Sequence, residues 1–291
     1  MPYFYLSITV FCMASSSVCG GYFNRHTSNL KDQTPLFNFS RSIFTLICWC
    51  IFFAFNFSIE LSVVPYALLM GASYSLTIIS NINALKAGSV ALTSLMLQSS
   101  LIFVTIWGLI FWGAPLTPTT IIGLILVAVS LTLCVLPSKN KTSTDKGVSL
   151  KWFFWAILTL GANAVCTILQ REQQIAYNGK HGSMFMVITL LISSMVCGVV
   201  FAKSDKSQTI AVLKKEWLFP ASAGVMNFLL NLFIIILATS SLSPSVIYPV
   251  IAVGGLMVSM LFSIFAFKEK LNWWQWLGFV LGAISIALIN I

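Results

Sequence analysis

The stretch Val246–Phe267, Lys268-Glu269-Lys270-Leu271-Asn272, Trp273–Ile291 decides the fold: an apolar run, a short charged turn and a second apolar run. The same layout stands 155 residues earlier, where Val90–Trp112 is followed by Gly113-Ala114-Pro115-Leu116-Thr117 and another apolar run. In that register Leu271 falls on Leu116, Gly278 on Gly123, Leu281 on Leu126, Ala283 on Ala128, Ser285 on Ser130 and Leu288 on Leu133. Average residue usage would give roughly two such matches over an arm of this length. The chain therefore reads as an internal repeat.

Composition sets the solvent. The chain is 58% hydrophobic and 8% charged, whereas roughly a quarter of a soluble globule's residues carry charge. Apolar runs long enough to cross a bilayer recur along its length, and in lipid the backbone must satisfy its own polar groups. The expectation is an all-α integral membrane protein. The net charge of +9 does not point to nucleic acid, because Lys and Arg lie between apolar runs rather than along a basic face with interleaved aromatics. The seven cysteines (Cys12, Cys19, Cys48, Cys50, Cys134, Cys166 and Cys197) fall in apolar runs, with no CxxC pair and no His close by. They read as small buried apolar residues, not as a disulfide framework or a zinc site.

Taken in order, the spans are Tyr3–Phe23, Leu36–Phe57, Val63–Leu85, Val90–Trp112 and Thr117–Leu136, then Trp152–Gln170, Gly182–Ala202, Trp217–Thr239, Pro244–Phe267 and Trp273–Ile291. Tyr3–Phe23 has no positive residues ahead of it and reads as a membrane helix rather than a cleaved signal peptide. Polar residues 137–150 separate two sets of five, 1–136 and 151–291, with Arg171–His181 and Ser204–Glu216 as linkers in the second. Ser16-Ser17-Val18-Cys19 also matches Asn163-Ala164-Val165-Cys166 in a register of 147. Five is odd, so the second repeat must run upside down relative to the first. Ten transmembrane helices as two inverted five-helix repeats is a transporter architecture. Of the 16 Lys and Arg residues, all but Arg171 and Lys180 fall on one side of this layout. By the positive-inside rule both termini lie outside.

No Walker loop is present, His26 and His181 sit in linkers, and none of the seven Asp and Glu residues lies mid-span. No metal or cofactor is expected, an enzyme is disfavoured, and the proton relay of a coupled antiporter lacks its titratable group. What the spans carry is neutral polarity. The candidate substrate-binding residues are Ser16, Tyr74, Gln98, Asn163, Asn227, Asn231 and Tyr248, with Asn227 and Asn231 on one helix face. Two readings stand: each such group joins helices to one another, or the set lines a polar cavity for a small-molecule substrate. Pro65 and Pro249 read as kinks or as sites of freed carbonyls. Trp273, Trp274 and Trp276 read as an interfacial anchor at the lipid bilayer. A non-transporting accessory or scaffold subunit is the alternative function.

At Phe267-Lys268-Glu269-Lys270-Leu271, followed by Trp276-Leu277-Gly278 and Gly282, and at Arg41 early in the second span, the chain resembles the EamA family of the drug/metabolite transporter superfamily. The resemblance implies spans 1, 3, 4, 6, 8 and 9 around a central cavity, spans 5 and 10 as a scaffold, and spans 2 and 7 as gating elements. It implies movement of a small polar or amphipathic metabolite across the cell membrane by alternating access. The first repeat departs from the pattern, with Ala114 where the acidic residue of the turn would stand. Many relatives also place their termini in the cytoplasm, opposite to the charge count.

Overall fold

The computed structural model describes residues 1–27, 33–87, 90–114, 116–135, 149–203, 209–267 and 272–289. Among these are eleven α-helices and a single 3-10 turn, Leu61–Val63, and no strand. The helices are α1 (Pro2–His26), α2 (Gln33–Phe55), α3 (Val64–Ala87), α4 (Val90–Phe111), α5 (Pro118–Val135) and α6 (Leu150–Ala176). They continue as α7 (Gly182–Ala202), α8 (Thr209–Glu216), α9 (Leu218–Ala238), α10 (Pro244–Phe267) and α11 (Trp273–Ile289). Seven of the described helices are long and apolar enough to cross a membrane: α1, α2, α3 with its leading turn, α6, α7, α9 and α10. Shorter apolar segments make up the rest of the bundle, Leu95–Phe111 in α4, Pro118–Leu133 in α5 and Trp273–Ile289 in α11.

The structure moves several expected boundaries. The linker assigned to Ser204–Glu216 contains α8, and α2 begins before Leu36. More consequentially, α6 does not stop at Gln170 but runs on to Ala176, so Arg171 is helical and buried rather than part of a linker. Tertiary contacts described below hold it there. A tight connection follows, with Asn178, Gly179 and His181 at positive φ. The Gly179 N–H donates to the Gln174 carbonyl at 2.8 Å, closing the helix end with a residue that tolerates this geometry. Pro249 sits inside α10 and Pro65 in the first turn of α3. The hairpin residues Lys268–Leu271 and most of the polar segment 137–150 lie outside the described residues.

The packing is that of a protein in lipid. Large apolar side chains such as Phe4, Phe11, Ile51, Ile122, Phe154 and Met195 are exposed, while Thr9, Thr45, Ser80, Thr105, Ser130 and Ser285 are fully buried. Lipid removes the penalty on outward apolar groups and leaves small polar residues to join helices internally. Ser42 and Ser194 meet at 2.6 Å between α2 and α7, and the Thr159 hydroxyl donates to Ser80 at 3.0 Å between α6 and α3. The Ser130 hydroxyl donates to the Gly278 carbonyl at 2.7 Å between α5 and α11. Close backbone approach needs a missing side chain at Gly224: a Cβ there would stand 2.6 Å from Phe44 Cβ and 3.0 Å from the Arg41 carbonyl. This seats α9 directly behind the turn of α2 that carries Arg41.

Helix pairs recur in both halves of the chain. α3 packs on α6 and α7, as α9 packs on α1 and α2; α4 packs on α6, as α10 packs on α1. α5 packs on α11, α2 on α7 and α4 on α10.

Candidate functional site

Inward-facing polar residues of seven helices enclose a cavity of about 260 Å³. α1 brings Ser16 and Ser17, α3 brings Tyr74, Thr77 and Asn81, and α4 brings Gln98. From the second half come Asn163, Thr167 and Gln170 on α6, Asn227 and Asn231 on α9, and Tyr248 on α10. All seven residues singled out from the sequence, Ser16, Tyr74, Gln98, Asn163, Asn227, Asn231 and Tyr248, thus border one space. Among the described residues α5 and α11 contribute nothing to the lining, and α2 contributes Asn38 and Arg41.

Several of these groups hold one another in place. Asn163 Nδ2 donates to Ser100 Oγ at 2.6 Å, tying α6 to α4. Asn231 Nδ2 donates to the Asn227 carbonyl one turn earlier at 2.8 Å, and Gln170 Nε2 reaches Asn231 Oδ1 at 3.4 Å. The Ser16 hydroxyl points at the Ala223 carbonyl of α9 at 3.4 Å. Gln98, Asn81 and the Tyr74 hydroxyl have no hydrogen-bond partner among the described residues, so they remain available to whatever fills the cavity. Met13, Met70, Ile78, Leu101, Leu230 and Ile234 supply apolar walls between them.

Charge enters at two places, and neither was fully visible in the sequence. Arg41, marked there by resemblance alone, is the charged residue of the described lining. Its Nη2 donates to Asn38 Oδ1 at 3.4 Å, and no carboxylate pairs with it among the described residues. Arg171 stands beyond Tyr248, 7% exposed. Its guanidinium carbon lies 5.0 Å from the Trp112 ring centroid, and the Trp112 indole N–H donates to Glu172 Oε1 at 2.7 Å. Tyr248 lies within electrostatic reach of both Arg171 and Glu172, and its ring lies 6.2 Å from that of Trp112. Arg171 Nε and Nη1 have no hydrogen-bond partner among the described residues.

Exposure grades along the cavity. Ser17 is exposed and Asn38, Arg41 and Asn81 are part-exposed, while Asn227 and Gln170 are buried and Tyr248 is 1% exposed. The open end lies toward the C-terminal end of α1, and the closed end toward the face on which α1 begins. On that closed face a rim of polar contacts joins helix ends. Ser58 meets His181 Nδ1 at 2.6 Å, and the Tyr177 hydroxyl donates to Ser62 Oγ at 2.9 Å. Glu60 accepts from the Ser62 hydroxyl at 2.7 Å and from its N–H at 3.3 Å. These bonds, with the nearby charge of His181, hold the Glu60 carboxyl below its usual pKa.

Comparison with known proteins adds two findings. No curated protein matches the chain. A solved structure described only as "Crystal structure of protein" superposes with a TM-score of 0.73 over 99% of this chain and 95% of its own, at 11% identity. At that identity the likeness shows the fold alone. The model of the EamA-like transporter family matches residues 150–291, the half that supplies Asn163, Gln170, Asn227, Asn231 and Tyr248 to the cavity. Over those residues the chain matches the EamA-like transporter family, which belongs to the drug/metabolite transporter superfamily.

Proposed function

We propose that this protein transports a small polar or amphipathic metabolite across the cell membrane by alternating access, with the central cavity as its binding site. In this reading ten helices cross the bilayer as two inverted five-helix repeats, residues 1–136 and 151–291, joined by 137–150. The surface helix α8 is an addition to the second repeat. The reciprocal helix pairs support it: a two-fold axis in the membrane plane would exchange α3–α6 with α9–α1 and α4–α6 with α10–α1. At single-residue scale the paired positions also lie against one another, without repeating the same bond: Ser130 bonds the Gly278 carbonyl, whereas Gly123 lies against the Ser285 backbone and the Ser285 hydroxyl bonds Gly282. Ser130 and Ser285, and likewise Gly123 and Gly278, are partners in the 155-residue register.

The observation that carries the function is convergence: seven neutral polar residues from six helices of both halves border one cavity, which is accessible at one end and closed at the other. Pseudosymmetric repeats give such a cavity two equivalent ways to open. The Lys and Arg count supports a reading in which the more exposed end faces the cytoplasm and this is the inward-facing form. With no acid in the described lining, the residues bind by hydrogen bonds and aromatic contact rather than by moving protons. Reconstitution into proteoliposomes with counterflow of radiolabelled metabolites tests the proposal. Asn227→Ala and Gln98→Ala should each weaken apparent affinity roughly tenfold, the loss of about one hydrogen bond. Unchanged kinetics in folded variants would remove these residues from the site. Absence of any flux from folded protein would favour an accessory subunit.

A further inference from the structure

We infer that the cavity takes a small monocarboxylate, with Arg41 receiving its carboxylate; this rests on the cavity being the substrate site. Three observations lead there. First, Arg41 is the charged residue of the described lining, and among the described residues its guanidinium is engaged only by Asn38, at a long 3.4 Å. A guanidinium presents planar paired donors that match a carboxylate, and most of those donors are uncommitted here. Such a group in a membrane interior is costly unless an anion meets it.

Second, the balance of charge selects among anions. One cation offsets one negative charge, and a second negative charge in the same enclosed space would be buried without a counter-ion. That disfavours phosphate dianions and dicarboxylates. An ammonium group has no carboxylate to meet in the described lining, since Glu172 lies beyond Tyr248 and accepts from Trp112. That disfavours amines and places zwitterions behind simple carboxylates.

Third, the space suits a small body with an apolar portion. About 260 Å³ lies just below the usual ligand range of roughly 300–1,000 Å³. Beyond Arg41 the walls include Met70, Ile78, Leu101 and Ile234, with Gln98 and Asn81 free to bond a hydroxyl or keto oxygen. Gly224 keeps Arg41 in place from behind, because its bare backbone allows the Arg41 turn of α2 to lie against α9.

The test uses the full chain, purified and folded, in thermal-shift and counterflow assays with a matched set of one carbon skeleton: isocaproate, isocaproamide, 4-methylpentylamine and leucine. Straight-chain carboxylates from acetate to octanoate and inorganic phosphate complete the panel. Isocaproate should stabilise the protein and compete for flux, its amide and amine should not, and leucine should act more weakly. Arg41→Gln should weaken carboxylate binding by about tenfold or more, and Arg41→Lys should recover part of it. If Arg41→Gln does not fold, the acid-against-amide contrast in the unaltered protein and the Arg41→Lys variant still decide.

Equal response to isocaproate and isocaproamide, tighter binding of phosphate, or silence across the whole carboxylate series would each overturn the assignment. Flux of a neutral or cationic solute with no carboxylate effect would sink the assignment and leave the transporter reading standing. Carboxylate binding abolished by Arg41→Gln, with no flux, would do the reverse.

Discussion

The two arginines inside the bundle are handled in opposite ways. Arg171, near the end of α6, is 7% exposed, lies over the Trp112 ring and neighbours Glu172 and Tyr248. Arg41, near the start of α2, is part-exposed, faces the cavity and has an amide for company. One cation lies against the Trp112 ring with an acid nearby, two of its donors unpaired among the described residues; the other faces the cavity with a long bond to an amide. A cation in a membrane interior must be compensated, and the difference lies in whether the protein or a ligand supplies the compensation. Arg171 stands outside the described lining, beside Tyr248, and Arg41 is part of it.

The largest expected effect follows from removing the ring that links the closed end together. Trp112→Ala deletes the face beneath Arg171 and the donor to Glu172, and should cost about 3 kcal/mol of stability. Arg41→Gln, at the open end, should change stability by no more than about 0.5 kcal/mol. Thermal unfolding of both variants in one detergent makes the comparison. Equal losses would mean that Arg41 is as much a packing element as Arg171, and the contrast would fail.

A smaller effect isolates charge from packing. Glu172→Gln preserves an acceptor for the Trp112 indole and removes the negative charge nearest Arg171. Interhelical polar contacts in membranes are worth little more than 1 kcal/mol each, because the unfolded chain in lipid also finds partners. The expected loss is therefore about 1 kcal/mol. A loss matching that of Trp112→Ala would show that the ion, rather than the ring, holds the closed end together.

How much of this was legible in the sequence differs between the two arginines for a physical reason. Apolar run lengths reveal membrane helices because lipid leaves few alternatives, and neutral polar residues inside those runs must turn inward. That logic brought Ser16, Asn163 and Tyr248 onto the list that the cavity now gathers. It fails at helix ends. Arg171 follows Gln170 at the close of an apolar run, where a charge ordinarily signals exit to water, and the sequence reading placed it in a linker. Its guanidinium lies against Trp112, 59 positions earlier in the chain, a contact that no local pattern contains. Arg41 was visible only through family resemblance, since periodicity says nothing about which side of α2 meets a cavity. The eight-residue α8 was missed because it is half apolar and half polar and far too short to read as a span.

The smallest effect lies at the rim of the closed face and appears through pH. Glu60 is part-exposed, and its carboxyl is held below the ordinary glutamate pKa by the Ser62 hydroxyl and N–H and by the charge of His181. A group whose folded pKa is lowered adds stability above its unfolded pKa and loses it as pH falls through the folded value. Near neutrality the ionised Glu60 should therefore favour the closed rim, where Ser62 also accepts from Tyr177 at the end of α6. Acidification through the glutamate range should remove that contribution. The measurement is thermal unfolding of the unaltered protein and of Glu60→Gln across that range. The gap between them should be small at neutral pH and shrink on acidification. A gap independent of pH would mean that the carboxylate's charge contributes nothing to the closed face, leaving the Trp112–Arg171–Tyr248 cluster to hold that end without help from the rim.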